Sequence, residues 1–181
     1  MELNTYIMAR VPLIEESNTT LAPLIAKLKG ARGGKLLNLY RVLLNSPTFA
    51  EAWQAFNTVI RFNSKLDEQA RELALMRVSH LNRAEYQFNI HAQNYAPQCG
   101  ITPQQITALA GDAQSSLFMP AHRALLAYAD AMTEHVQVPD EVFDALRKHY
   151  NDQQIVELTI LIGAYNMHTR VGVALRIDPE S

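Results

Sequence analysis

Apolar residues recur at intervals of three and four along most of the chain, and the alternation that marks a half-buried strand is almost absent. Helix punctuation sits at the ends of these runs. Ser46-Pro47 places a capping hydroxyl before a proline suited to the first helical position, and Thr102-Pro103-Gln104-Gln105 adds the glutamine of a capping box. The pattern predicts helices over residues 20–29, 35–45, 47–63, 67–81, 84–96, 103–111, 120–135, 139–149 and 152–174, an all-α fold.

Two stretches depart from simple amphipathicity. Arg71 to Leu81 and Ile155 to Ile162 are apolar on more than one side, which predicts central helices whose few polar residues need partners. The same stretches share Asp67, Gln69, Glu72 and Leu73 with Asp152, Gln154, Glu157 and Leu158 at a constant offset, a candidate internal pseudo-repeat that similar caps on two buried helices would also produce. Gly111 to Pro120, the linker candidate, is too short to separate domains, so residues 1–181 are expected to form a single domain.

Composition narrows the function classes. Hydrophobic residues make up 48% of the chain and charged ones 19%, which excludes disorder and low complexity. Sixteen basic against 18 acidic residues gather into no basic stripe, so nucleic acid is not an expected partner. The most apolar stretch, Ile155 to Leu175, contains Glu157, Asn166, His168 and Arg170, so no membrane association is expected. Glu2, Asn4 and Arg10 interrupt any signal-peptide core and Cys99 is the only cysteine, which together predict a cytoplasmic, reducing setting. Met8, Met76, Met119, Met132 and Met167 read as core filling.

Candidate chemistry collects on two neighbouring helices. Glu72 lies among Leu73, Ala74, Leu75 and Met76, where a carboxylate is short of water and suited to proton transfer, or to an ion pair with Arg71, Arg77 or another helix. In the next helix Ala84, Gln87, Phe88, His91 and Tyr95 fall on one stripe, with Glu85 and Tyr86 on adjacent faces. An imidazole centred on that mixed stripe is either a satisfied core histidine or one half of an acid/base pair with Glu72. Arg77 or Arg170 would suit a substrate carboxylate, or would only neutralise Glu72 or Glu157. No His-Glu-x-x-His, Gly-rich phosphate loop or Gly-x-Ser-x-Gly elbow occurs, and neither a metal nor a cofactor is expected.

Arg71-Glu72-Leu73-Ala74-Leu75-Met76-Arg77-Val78-Ser79, followed by Ala84-Glu85-Tyr86-Gln87-Phe88-Asn89-Ile90-His91, resembles the signature of the carboxymuconolactone decarboxylase-like family, which includes the alkylhydroperoxidase D proteins. The resemblance is best over about residues 45–100. Asp152 to Ile177, with Ile160-Leu-Ile-Gly163 and Tyr165-Asn166-Met167, is similar to the family's closing helix. The resemblance implies an alkylhydroperoxidase D-like helical bundle. In the family's redox branch a Glu, a Cys-x-x-Cys pair and a His form a proton relay to a thiol centre. Glu72 and His91 match the Glu and the His, whereas the cysteine positions fall on Ala84 and Gln87.

The resemblance therefore implies a branch without the thiol pair, whose named activity is cofactor-free decarboxylation of a lactone acid. On that reading Glu72 and His91 exchange protons with a small organic acid or lactone, Glu85 or Tyr86 assists, and Arg77, Arg170, Gln87 and Tyr95 bind the substrate. The alternatives are an alkylhydroperoxidase- or peroxiredoxin-like antioxidant protein, which needs a thiol, and a non-catalytic helical binding module. A charged fraction below the roughly 25% of an average soluble domain, together with helices apolar on several sides, predicts surplus apolar surface and a homo-oligomer, a trimer or a hexamer.

Overall fold

The computed structural model describes residues 9–31 and 33–180; Met8 and the first seven residues lie outside them. Among the described residues there are helices and no strands: α1 (Ala22–Gly30), α2 (Asn38–Leu43), α3 (Pro47–Phe62), α4 (Glu68–Leu81), α5 (Glu85–Asn94), α6 (Pro103–Ala110), α7 (Pro120–Glu134), α8 (Asp140–Arg147) and α9 (Asp152–Leu175). Thr102 and Gln105 form the reciprocal capping box that their spacing predicts. The expected second helix, 35–45, is shorter at both ends, and so is the expected 84–96 helix, where Ala84 keeps the non-helical backbone of an N-cap, φ −89° and ψ 67°.

The chain forms two compact units, Met1–Val59 with Val171–Ser181, and Ile60–Arg170. In the first, Ile25, Leu28, Leu36, Tyr40, Leu44 and Ala50 make one buried cluster, and Leu39, Val42 and Ile177 make another. The Arg10 backbone amide donates to the Leu175 carbonyl, which fastens the start of the described chain to the end of α9.

The second unit is built around α4, which packs against α5, α6 and α7. Asp67 caps α4 through a 2.8 Å bond from the Ala70 amide. Leu73, Ala74, Met76, Val78 and Ser79 are wholly buried, as expected for a helix apolar on several sides. The corresponding expectation for α9 needs correction. Its Leu158, Leu161, Ile162 and Tyr165 are buried, but Val156, Ile160 and Met167 are exposed, because periodicity shows that a face is apolar and not whether anything covers it. Met119 and Met167 are likewise exposed rather than core-filling.

The two members of the candidate pseudo-repeat do different work. Asp67 caps α4, whereas Asn151 caps α9 in a reciprocal pair with Gln154 and leaves Asp152 one position inside the helix. Glu72 is buried. Glu157 is half-buried and accepts bonds from Ser64 Oγ, the Lys65 amide and Gln153 Nε2. Burial opposes the Glu157 charge, but the bonds from Lys65, Gln153 and Ser64 outweigh it and hold the carboxyl below its ordinary pKa.

Candidate active site

The site depends on how α4 ends. The amide of Arg83 donates to the His80 carbonyl and that of Ala84 to the Ser79 carbonyl, the double bond of a Schellman turn, with Arg83 at φ 55° in the left-handed position. This turn reverses the chain so that α5 runs back beside α4. His91 and Glu72 then meet: Nδ1 of the ring lies 2.5 Å from Oε1 of the carboxylate, and each residue is 6% exposed. An ionised carboxylate can only accept, so with Glu72 charged the Nδ1–H donates and Nε2 is the ring nitrogen that stays outside this contact.

Two aromatic rings flank the imidazole. Tyr95, one turn beyond His91, lies 4.9 Å away between ring centres, and the buried Tyr165 of α9 stands edge-on at 6.2 Å. His168 stacks on Tyr165 at 5.4 Å with the planes 5° apart. Arg61, from the last turn of α3, places its guanidinium carbon 4.8 Å from the centre of the Tyr95 ring. Burial disfavours the Arg61 charge, yet Tyr165, Tyr95 and Glu72 together outweigh it and raise the pKa above the ordinary arginine value. A fixed cation, a carboxylate and an imidazole therefore share one neighbourhood.

The remaining expected residues divide. Gln87 is buried one turn before His91, and Tyr95 is in contact with it, so both belong to this neighbourhood. Tyr86 is half-buried on an adjacent face of α5. Glu85 is exposed and lines a separate hollow of about 250 Å³ with His80, Arg83, Phe88 and Asn89, which contains neither Glu72 nor His91. Arg77 is a brace: Nε and Nη2 grip the two Asp130 oxygens at 2.6 and 3.0 Å, and Nη1 donates to the Leu109 carbonyl at 2.6 Å. With its donor edges engaged by α7 and α6, it has no bidentate fork left for a substrate. Arg170 donates to Asn166 Oδ1, which also accepts from Asn82, in a polar network that reaches Thr133 and Thr169.

Sequence reasoning missed Arg61 and the role of Tyr165. The signal for Arg61 is a lone cation in an otherwise apolar final turn, Val59-Ile60-Arg61-Phe62, where a solvated charge would gain little. Neither substitution for the thiol pair restores a nucleophile: Ala84 is buried at the N-cap of α5 and Gln87 lies in its first turn. Cys99 is partly buried, and burial, followed by the negative charges of Glu72 and Glu68, pushes its thiol pKa up and so away from the reactive thiolate. Among the described residues no three of His, Cys, Asp and Glu gather as a metal ion would require, and no helix is long and apolar enough to cross a membrane.

The family profile described as "Carboxymuconolactone decarboxylase family" matches residues 47–131, a span that contains both Glu72 and His91. The uncharacterized protein YnjA of Escherichia coli K12 is 33% identical over 124 residues, 66% of each chain. An Agrobacterium tumefaciens structure of a protein of unknown function, named as a candidate antioxidant defence protein AhpD, is 27% identical with a TM-score of 0.71, covering 77% of this chain and 95% of that one. A peroxidase-related protein of Ralstonia eutropha JMP134, described as an alkylhydroperoxidase AhpD core, has the same fold at a TM-score of 0.81 and 18% identity, covering 96% and 93%. Residues 47–131 are thus those of the carboxymuconolactone decarboxylase family, and the chain has the fold of AhpD-like proteins.

Proposed function

We propose that this protein is a cytoplasmic, cofactor-free acid/base enzyme of the decarboxylase type that acts on a small organic acid or lactone. The observation that carries the reading is the buried Glu72–His91 contact beside the Arg61 cation. In such a reaction the carboxylate carbon leaves as carbon dioxide, the electrons of the broken bond pass to a neighbouring carbonyl as an enolate, and a proton is then delivered to carbon. Arg61 offers a fixed positive charge for the departing carboxylate or the enolate oxygen. Glu72 holds His91 by Nδ1, so that Nε2 carries the exchanging proton and the imidazolium has a counter-charge while it exists. Tyr95 and Gln87 line the approach, and Tyr86 assists from the adjacent face. Arg77, Arg170 and Glu85 take no direct part.

An antioxidant reading rests on the names of similar AhpD-like structures, but burial raises the Cys99 thiol pKa and Ala84 and Gln87 stand where the thiol pair would be, which disfavours it. The experiment is to incubate the protein with carboxymuconolactone and a panel of small lactone acids and keto acids, and to follow carbon dioxide release and product formation by NMR. Turnover without added metal or cofactor is expected. Hydroperoxide reduction that vanishes in Cys99→Ser, with no carbon dioxide released across the panel, would replace this reading with the antioxidant one.

The apolar side chains that α3 leaves exposed, Phe49, Phe56, Val59 and Phe62, support the further proposal of a homo-oligomer, with a hexamer or a trimer as the expected form.

A further inference from the structure

The exposed side of α9 has a regular order. Gln153, Val156, Ile160, Gly163, Met167 and Arg170 are all exposed, while Ile155, Leu158, Leu161, Ile162, Ala164 and Tyr165 between them are buried. The spacing alternates three, four, three, four and three, the heptad pattern that keeps one seam facing a partner helix. Val156 is 57% exposed, Ile160 44% and Met167 41%. A side chain at Gly163 would meet nothing within 4 Å, so the seam is open at its middle.

This seam is its own complement when reversed. About the midpoint between Leu161 and Ile162, Ile160 exchanges with Gly163, Val156 with Met167, and Gln153 with Arg170. A branched side chain thus faces the one gap in the seam, which is the knob-and-hole relation of packed helices. Charge agrees with the same reversal. The first turns of α9 carry Asp152 and Glu157, the last seam position carries Arg170, and an antiparallel partner brings Arg170 to the Gln153–Glu157 pair, whereas a parallel partner stacks Arg170 on Arg170. A two-fold axis needs a patch that is self-complementary in this sense.

We propose that the exposed seam of α9 is an antiparallel, two-fold interface with a second copy of this chain, centred between Leu161 and Ile162, with Ile160 of each copy seated against Gly163 of the other. This interface is independent of the chemistry assigned to Glu72 and His91. It requires an even number of chains in the assembly, which a hexamer satisfies and a lone trimer does not.

The test is disulfide trapping in the full chain carrying Cys99→Ser. Val156→Cys with Met167→Cys should give a covalent dimer on mild oxidation. Each single variant should not, because in the antiparallel pair a residue and its own copy at these positions are separated by eleven residues of rise, about 16 Å. Light scattering of the parent chain should return an even multiple of 20.3 kDa, and Ile160→Glu should lower that mass at least twofold with an unchanged circular dichroism spectrum. Cross-linking in either single variant would mean parallel or non-specific contact and would overturn the proposal. So would a mass near 20.3 kDa for the parent, or an even assembly in which the paired cysteines fail to cross-link and Ile160→Glu leaves the mass unchanged.

Discussion

The Arg61 guanidinium lies over the face of the Tyr95 ring, and that ring also neighbours His91, at 4.9 Å. Tyr95 thereby ties the position of the Arg61 cation to that of the His91 imidazole. Replacing Arg61 with Lys keeps the charge but loses the planar group that stacks and grips a carboxylate by two bonds. Binding of lactone acids should weaken about tenfold, equivalent to about 1.4 kcal/mol, with a larger loss in Arg61→Ala. Calorimetric titration measures this, and parental affinity in both variants would remove Arg61 from the site.

Arg77 and Asp130 form a two-pronged pair that is mostly buried, and Arg77 also donates to the Leu109 carbonyl. Asp130→Ala should cost about 2–4 kcal/mol of stability because a guanidinium is left buried without its counter-charge. Urea denaturation measures the loss. Substrate affinity of the folded protein should be unchanged, which separates a brace from a clamp.

Arg83 holds φ 55° at the position where glycine usually closes a Schellman turn. Arg83→Gly should therefore stabilise the protein, by up to about 1 kcal/mol after the added freedom of the unfolded chain is counted. A lower thermal midpoint would show that the Arg83 side chain does more for the fold than its backbone strain costs.

Tyr150 is 8% exposed, and burial, aided by the negative charge of Asp67, raises its pKa to about 12. A phenol whose folded pKa lies above the unfolded value of about 10 contributes stability that is full below pH 10 and is lost as the pH climbs through 12, by about 2–3 kcal/mol in all. Denaturation midpoints across that window should fall more steeply in the parent than in Tyr150→Phe. Equal slopes would show that Tyr150 does not govern alkaline stability. His122 acts at the other end of the scale: burial lowers its pKa, so the neutral ring is favoured and the associated stability, present above about pH 6.5, is lost as the pH falls through the lowered value.

Much of this was legible in the sequence for local reasons. Caps and prolines placed the helix starts, and the all-round apolar character of Arg71 to Leu81 marked the helix that the second unit buries. Glu72 and His91 could be paired because both sit at fixed positions on two consecutive helices joined by a short turn. Arg61 was legible only as a lone cation in an apolar turn. Its surroundings come from Tyr95, 34 residues away, and Tyr165, 104 residues away, and no periodicity within α3 reports on either. The partner of Arg77 was not legible for the same reason, since the carboxylate that engages it belongs to Asp130 on α7.

Glu72→Gln tests the proton-transfer account most directly, because it keeps the shape of the side chain while removing the carboxylate that holds His91 Nδ1. The measurement is carbon dioxide release from the best lactone-acid substrate, made beside a thermal melt of the same sample. The account predicts turnover reduced at least about a hundredfold, the usual scale of a positioned acid or base, in a protein that still unfolds cooperatively. Near-parental turnover in a folded Glu72→Gln would contradict it and leave the Glu72–His91 contact a purely structural pair.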